Sequence, residues 1–272
     1  MTQGKVALVT GVSCGIGHAT AATLADQGFR VFGTTRQSVD AGAALGSVTL
    51  VRLDVRDDES VHTCVRAVLD QAGRLDALVN SAGYVLLGSL EETSIEEARG
   101  LFETNFFGVL SMCRAVLPVM RQQGAGRIVN VSSVLGFLPA PYMGIYAASK
   151  HAIEGYSESL DHELRQFGIR VSVIEPGFTR TSLGRNGQVT NQHLEPYAIE
   201  RDRAAGAVRE HIANGDDPAV VASRVLAALT SDSPRLKYPA GREARVLTLM
   251  RKFAPSGLVD KGLRKQFRLD AV

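Results

Sequence analysis

Two hydrophobic periods alternate along the chain. Short apolar runs without polar alternation read as buried strands at Val6–Thr10, Val31–Thr35, Val48–Leu53, Leu75–Val79, Arg127–Val131 and Arg170–Ile174. Between them, apolar residues recur at helical spacing from Gly15 to Gly28, about Asp57 to Ala72, Ala98 to Gln123, and Ile145 to Phe167. Pro118 lies inside the third of these, and the amide donor it removes predicts a local kink. Strands that are apolar throughout, each followed by a helix, predict a parallel sheet covered on both faces. Right-handed crossovers make such an α/β sheet doubly wound. No repeat, linker or low-complexity tract divides residues 1–272, so a single domain is expected.

In such sheets ligands sit beyond the carboxyl ends of the strands. The residues at those ends are Gly11, Arg36, Asp54, Asn80, Ser133 and Pro176-Gly177, and they should converge on one crevice. Thr10-Gly11-Val12-Ser13-Cys14-Gly15-Ile16-Gly17 stands directly between the first strand and its helix. Glycines there allow a tight turn and let backbone approach a pyrophosphate, while the helix N-terminus offers free N–H groups to phosphate. Thr34-Thr35-Arg36 closes the second strand, where a site selective for NAD usually has an acid. A guanidinium suits a ribose phosphate, so Arg36, helped by Ser13, predicts NADP as cofactor.

The Gly-x3-Gly-x-Gly spacing resembles that of the short-chain dehydrogenase/reductase family, a Rossmann-like fold, and the resemblance runs over roughly residues 4 to 240. Asn80-Ser81-Ala82-Gly83 is similar to the family's NNAG segment, with Ser81 replacing an asparagine. Asn105, Ser133 and Tyr146-Ala147-Ala148-Ser149-Lys150 resemble its active-site set. Pro176-Gly177-Phe178-Thr179-Arg180-Thr181 resembles its PG motif. The stretch from Glu154 to Leu160 is similar to the hydroxysteroid- and retinol-dehydrogenase-like branch. The resemblance implies an oxidoreductase moving a hydride between nicotinamide and an alcohol or carbonyl carbon. It implies adenine contact at Asp54 with Val55, the adenosine ribose side at Asn80, Ala82 and Gly83, and a carboxamide held by Thr179 and Thr181. Cys14 stands where many NADP forms of the family carry a second basic residue.

Reduction of a carbonyl leaves an alkoxide that needs a proton, and a placed acid/base contributes about 10²–10⁴ in rate. Tyr146 fills that role by resemblance. Lys150, four residues on, shares its helix face, and an ammonium there should lower the phenol from its free value of about 10. Ser133 should hold the substrate oxygen; Ser132 is its rival. Asn105 should hold a water linking Lys150 to solvent. A non-catalytic NADP-binding redox sensor on the same fold is the alternative, although such regulators tend to lose the Tyr/Lys pair. Epimerisation or dehydration would call for a larger C-terminal substrate domain.

Phe137 to Met143 should form an apolar wall at the pocket mouth, and a long polar insertion at about 183–215 reads as a lid. Together they suit a hydrophobic secondary alcohol, ketone or aldehyde. The net charge of +2 gives no reason to expect nucleic acid. Cys14, Cys64 and Cys113 have neither disulfide nor metal spacing, so reduced thiols and no metal are expected. No signal peptide or membrane span is visible, which predicts a cytoplasmic protein. Apolar residues beyond the sheet-covering face of the Asn105 and Tyr146 helices, taken with the resemblance, predict a homodimer or homotetramer.

Charge is unevenly spread. From Arg235 onward there are ten Lys/Arg and three acids, a net +7, while the rest of the chain is −5. A basic helical extension is expected at about 242–272. Ala244 to Phe253 carries Val246, Leu247, Leu249 and Met250, and Leu258, Val259, Leu263 and Phe267 recur after Pro255. Such a segment can pack on its own chain or a sister subunit, the favoured expectation, or lie on an anionic membrane surface.

Overall fold

A computed structural model describes residues 4–40, 42–181 and 188–269. Eight described strands form one sheet. In chain order the elements are β1 (Val6–Val9), α1 (Gly15–Asp26), β2 (Arg30–Thr35), β3 (Ala44–Leu45), β4 (Val48–Arg52), α2 (Asp58–Ala72) and β5 (Ala77–Asn80). Next come β6 (Leu86–Leu87), α3 (Ile95–Phe102), α4 (Gly108–Gln123), β7 (Gly126–Val131), α5 (Gly144–Leu164) and β8 (Ile169–Pro176). The chain continues through β9 (Gln188–Val189), α6 (Ala198–Ala213), α7 (Pro218–Thr230), β10 (Lys237–Ala240), α8 (Arg242–Phe253) and α9 (Ser256–Gln266). The sheet order is β10-β8-β7-β5-β1-β2-β4-β3, parallel except for the short β3–β4 pair.

The chain moves outward from β1 through β2 to β4, then returns to pair β5 on the other side of β1. That reversal opens a crevice at the carboxyl ends of β1 and β5. Strands with uninterrupted burial, such as β1 and β5, are apolar because helices cover both faces. On one face Leu8, Leu78, Ile128 and Val171 pack against Val65, Val116 and Ile153 of α2, α4 and α5. On the other, Ala7, Val9, Val79 and Val129 pack against Leu24 of α1 and Val225 of α7. A third cluster lies apart and joins Leu138, Met143 and Ala147 to Ala204 and Val208 of α6, Ala244 of α8, and Phe267.

Helix ends follow local chemistry. Asp57 accepts from the Glu59 amide at the start of α2, and Gly73 ends that helix in the left-handed region. Ser94 and Glu97 form a reciprocal capping box at α3. The long helix expected from Ala98 to Gln123 begins earlier, at Ile95, and is not uniform. Its irregularity is a π turn at Glu103–Phe107, while α4 runs through Pro118. The single inserted residue of a π turn rotates the face that follows.

The polar stretch expected as an insertion is largely helical. Ala204, Ala207 and Val208 of α6 form a narrow buried stripe that the surrounding charges hide in sequence. The described part is also tethered. β9 pairs with β6, and the fully buried Glu92 accepts from Leu194 N at 2.8 Å and from Arg201. Residues 183–187, where the insertion begins, lie outside the described residues. No described helix is long and apolar enough to cross a membrane.

One buried carboxylate locks α5 to β8. Asp161 accepts from Arg165, from Arg170 at 2.9 Å and from the Val171 amide at 2.9 Å, and its side chain is fully buried. Removing it strands Arg170 and a backbone donor. Asp161→Ala should therefore cost about 3 kcal/mol. The check is the urea midpoint at unchanged slope, and a loss below about 1 kcal/mol would contradict this account.

Candidate active site

The site begins where β1 ends. Thr10 Oγ1 accepts from the amides of both Ser81 and Ala82 at 3.0 Å, tying the first turn to the segment after β5. Gly11 has φ +74°, and a Cβ there would stand 2.9 Å from Ala82 Cα. A Cβ on Gly17 would meet the Gly11 carbonyl, and one on Gly15 would stand 3.1 Å from Thr181 Cγ2. The helix start and loop thus approach as closely as backbone permits. Cys14 makes no side-chain cap to α1, and no acid lies in its first turn. The first amides of the helix are therefore left for a ligand, and the cradle fits a pyrophosphate.

The rest of the expected dinucleotide set lies along this crevice, with some side chains otherwise engaged. Ser13 Oγ donates to Thr35 Oγ1 at 3.2 Å, holding the glycine loop against the end of β2. Arg36 is exposed beside it and makes no hydrogen bond or ion pair among the described residues. Asp54 is gripped by Arg56 at 3.0 and 2.6 Å, and these bonds pull its carboxyl down to about 2. The Val55 side chain faces the core, where a Cβ on Gly108 would touch it. Asn80 points inward, donating to Asn130 Oδ1 at 2.9 Å and to Cys113 Sγ at 3.6 Å. Gly83 lies against Asn105, while Pro176 and Gly177 close β8 and lead to Thr179 and Thr181.

The residues expected to transfer the proton meet next to the cradle. One cavity is lined by Ile16 from the glycine loop, by Ser132, Ser133 and Tyr146, and by Pro176, Gly177, Thr179 and Thr181. Leu138 and Met143 of the expected apolar segment form part of its wall, joined by Leu135 just before that segment. Val208 and Ile212 of α6 and Leu247, Leu263 and Phe267 of the C-terminal segment complete it. Ser133 hydrogen-bonds Tyr146, whereas the buried Ser132 hydroxyl has no partner among the described residues. Of the two serines, Ser133 is the one that reaches Tyr146.

One expectation is corrected in detail. Tyr146 was expected below its free value because of Lys150. Instead burial pushes it up to about 12, partly opposed by Ser133. Lys150 donates to the Val131 carbonyl at 2.9 Å, with its Nζ 5.6 Å from the Tyr146 ring centre, and burial pulls it down to about 8 against the field of Glu154. Burial penalises the charged form of each group and outweighs their attraction. The Asn105 side chain clamps both backbone groups of Tyr84, at 3.0 and 2.9 Å, and reaches Ser149 Oγ at 3.4 Å. The π turn carries Asn105 into that position.

Sequence reading missed a charged cluster beneath Lys150. Glu154 lies one helical turn beyond it, bridges Lys237 of β10 at 3.3 Å, and is coupled to the buried Glu175 of β8. The available signal was an acid at i+4 from the lysine and another inside an apolar strand.

The chain is similar to known proteins over most of its length. Residues 5–192 match the family described as short chain dehydrogenase. It is 35% identical to a 3-ketodihydrosphingosine reductase of Bacteroides thetaiotaomicron over 96% of this chain and 97% of the relative. It is 36% identical to bovine (Bos taurus) retinol dehydrogenase 8 over 93% of this chain and 86% of the relative. Among solved structures, a short-chain dehydrogenase from Streptomyces avermitilis has a TM-score of 0.80 at 35% identity, covering 97% of this chain and 96% of that one. One from Burkholderia phymatum in complex with NAD has a TM-score of 0.78 at 28% identity, covering 92% and 94%. One from Burkholderia cenocepacia in complex with NADP has 0.75 at 27%, covering 97% and 98%.

The cluster gives a pH test. Burial, then repulsion from Glu154, lifts Glu175 from its ordinary 4.5 to about 7, with Lys237 opposing. A raised carboxyl stabilises the fold below its unfolded value, and that stability is lost as pH rises through about 7. Glu175→Gln should therefore be more stable than wild type at pH 8 by up to about 3 kcal/mol, with the gain absent at pH 4.5. Denaturation at both pH values checks it; an equal difference at the two would refute the coupling.

Proposed function

The chain belongs to the short-chain dehydrogenase/reductase family and is an oxidoreductase of that type, and from that premise we propose that it is an NADP-dependent reductase or dehydrogenase of hydrophobic alcohols and carbonyls. One observation carries the reading: Ser133 and Tyr146 share an apolar cavity with the glycine loop and with Thr179 and Thr181. When bound, the nicotinamide cofactor supplies or accepts the hydride and, oxidised, adds a positive charge at the site.

The chain's own groups do the rest. Gly15, Ile16 and Gly17 would hold the pyrophosphate on backbone amides, while Gly11, whose own amide donates to Thr34 Oγ1 at 3.2 Å, makes the tight turn beside them. Ala82 and Gly83 line the ribose, with Asn80 bracing that strand end from behind. Asp54 and Val55 border the adenine, and Pro176, Gly177, Thr179 and Thr181 receive the carboxamide. Ser133 donates to the substrate oxygen. Tyr146, held protonated by burial, gives its proton to that oxygen in reduction and takes it back in oxidation. Lys150 bridges the Tyr146 face of α5 and the end of β7. Asn105 orders the Tyr84 segment and, through it, the cavity wall.

The wall argues for a hydrophobic substrate, since leucine, valine, methionine and phenylalanine side chains from five chain segments meet there. Two of the similar proteins, a 3-ketodihydrosphingosine reductase and a retinol dehydrogenase, bear names of apolar substrates. α6 serves as the fixed part of a cover, and the C-terminal segment seals the cavity through Phe267, which is 2% exposed. A homodimer or homotetramer is supported by the aromatic set on the π turn before α4 and on α5, in which Phe106 contacts Phe107 and Tyr156 and Phe107 stays 45% exposed.

Tyr146→Phe should lower kcat by at least about 10²-fold on a panel of apolar ketones and alcohols while NADP(H) binding persists. More than a tenth of the rate remaining would remove Tyr146 from the chemistry. Cofactor choice rests on Arg36, exposed beside Ser13 and Thr35. The ratio of kcat/KM for NADP over NAD should exceed one and fall at least about tenfold in Arg36→Asp, the loss expected for a charge-assisted phosphate contact. A ratio favouring NAD, or one indifferent to the substitution, would reverse the assignment.

A further inference from the structure

α8 is apolar on two faces. Ala244 is buried and Leu247 packs inward toward the third cluster, as a helix docked on its own chain requires. Val246, Leu249, Met250 and Phe253 form a second stripe at i, i+3, i+4 and i+7, and they are 48%, 59%, 40% and 72% exposed. Leu258 of α9, 58% exposed, continues it. Scattered surface leucines need no explanation, but an aligned stripe of large side chains marks an interaction site.

The charges around the stripe say what covers it. Arg245 and Lys252, seven residues apart, border it on α8, and Lys261 and Lys265 lie three and seven residues beyond Leu258 on the same face of α9. All four are exposed. Apolar residues bordered by cations match a surface with anionic headgroups over hydrocarbon. A two-fold contact with a second copy would instead set these same cations against one another. A groove between the two helices, lined by Leu247, Met250, Val259 and Leu263, shares Leu138, Leu247, Leu263 and Gln266 with the active-site cavity. The exposed stripe and the cavity are therefore two sides of one thin wall.

We propose that the outer face of α8 and α9 docks on an anionic lipid bilayer and that apolar substrate passes between these helices into the cavity. The docking stands on the exposed stripe and its charges; the passage rests also on the hydrophobic-substrate reading above.

The test is co-sedimentation of the full chain with vesicles of phosphatidylglycerol and phosphatidylcholine, against vesicles of phosphatidylcholine alone. Binding should be at least about tenfold stronger to the anionic vesicles and should weaken in about 0.5 M salt. The double variant Leu249→Ser, Phe253→Ser, in which neither position lines the cavity or the groove, should lose at least about tenfold of the binding with wild-type melting temperature and NADP(H) affinity. Arg245→Gln with Lys252→Gln should lose the anionic preference. Failure to sediment with either vesicle, or undiminished binding by the Leu249/Phe253 variant, overturns the proposal. So does light scattering in which that variant turns a dimer into a monomer, since the face then belongs to a second copy. No turnover is involved, so an inactive protein that binds vesicles would refute only the reductase reading, and an active one that ignores them would refute only the docking.

Discussion

The site depends on one backbone contact at the point where the sheet reverses direction. The turn after β1 and the segment after β5 lie so close that side chains are excluded at Gly11 and Gly17. Thr10 holds them there by accepting two amides from the second segment. This contact aims the start of α1 into the crevice and presses the β5 segment toward Asn105. Asn105 in turn braces Tyr84, and its Ser149 partner donates to the Tyr146 carbonyl at 2.7 Å. Cofactor cradle and acid/base helix are thus two ends of one hydrogen-bonded chain.

Electrostatics at the second end is governed by burial. Desolvation drives Tyr146 up and Lys150 down, each toward its neutral form, although at about 8 Lys150 still holds its proton at neutral pH. The proton therefore rests on the phenol, as suits an acid in carbonyl reduction. Alcohol oxidation needs a stabilised phenolate, which a positive charge beside the phenol provides. Behind the pair, Glu154 resists the loss of the Lys150 proton while Lys237 offsets the repulsion between Glu154 and Glu175.

The third hydrophobic cluster stands apart from the other two. The first two clusters build the sheet sandwich, and the third builds the cavity wall from the 134–147 segment, α6 and the C-terminal helices. Its members lie far apart in sequence and meet only when the basic tail folds back and Phe267 is buried.

The sequence alone determined the doubly wound sheet, the glycine loop, the convergence of strand ends and the Ser133, Tyr146 and Lys150 set. Periodicity and strand-end polarity are local properties, written in adjacent residues. It did not show that the polar stretch contains α6, because a stripe of two alanines and a valine barely stands out among charges. It located Asn105 but not its partner, since a π turn and a long-range clamp on Tyr84 have no local signature. It suggested that Lys150 would lower Tyr146, a rule that holds while both groups keep their hydration, but burial decides the sign and only packing decides burial. The tail's two apolar stripes were a single pattern in sequence. Tertiary structure alone sorted Leu247, Leu263 and Phe267 inward and left Leu249 and Phe253 in solvent, because which face of a helix is buried depends on what it lies against.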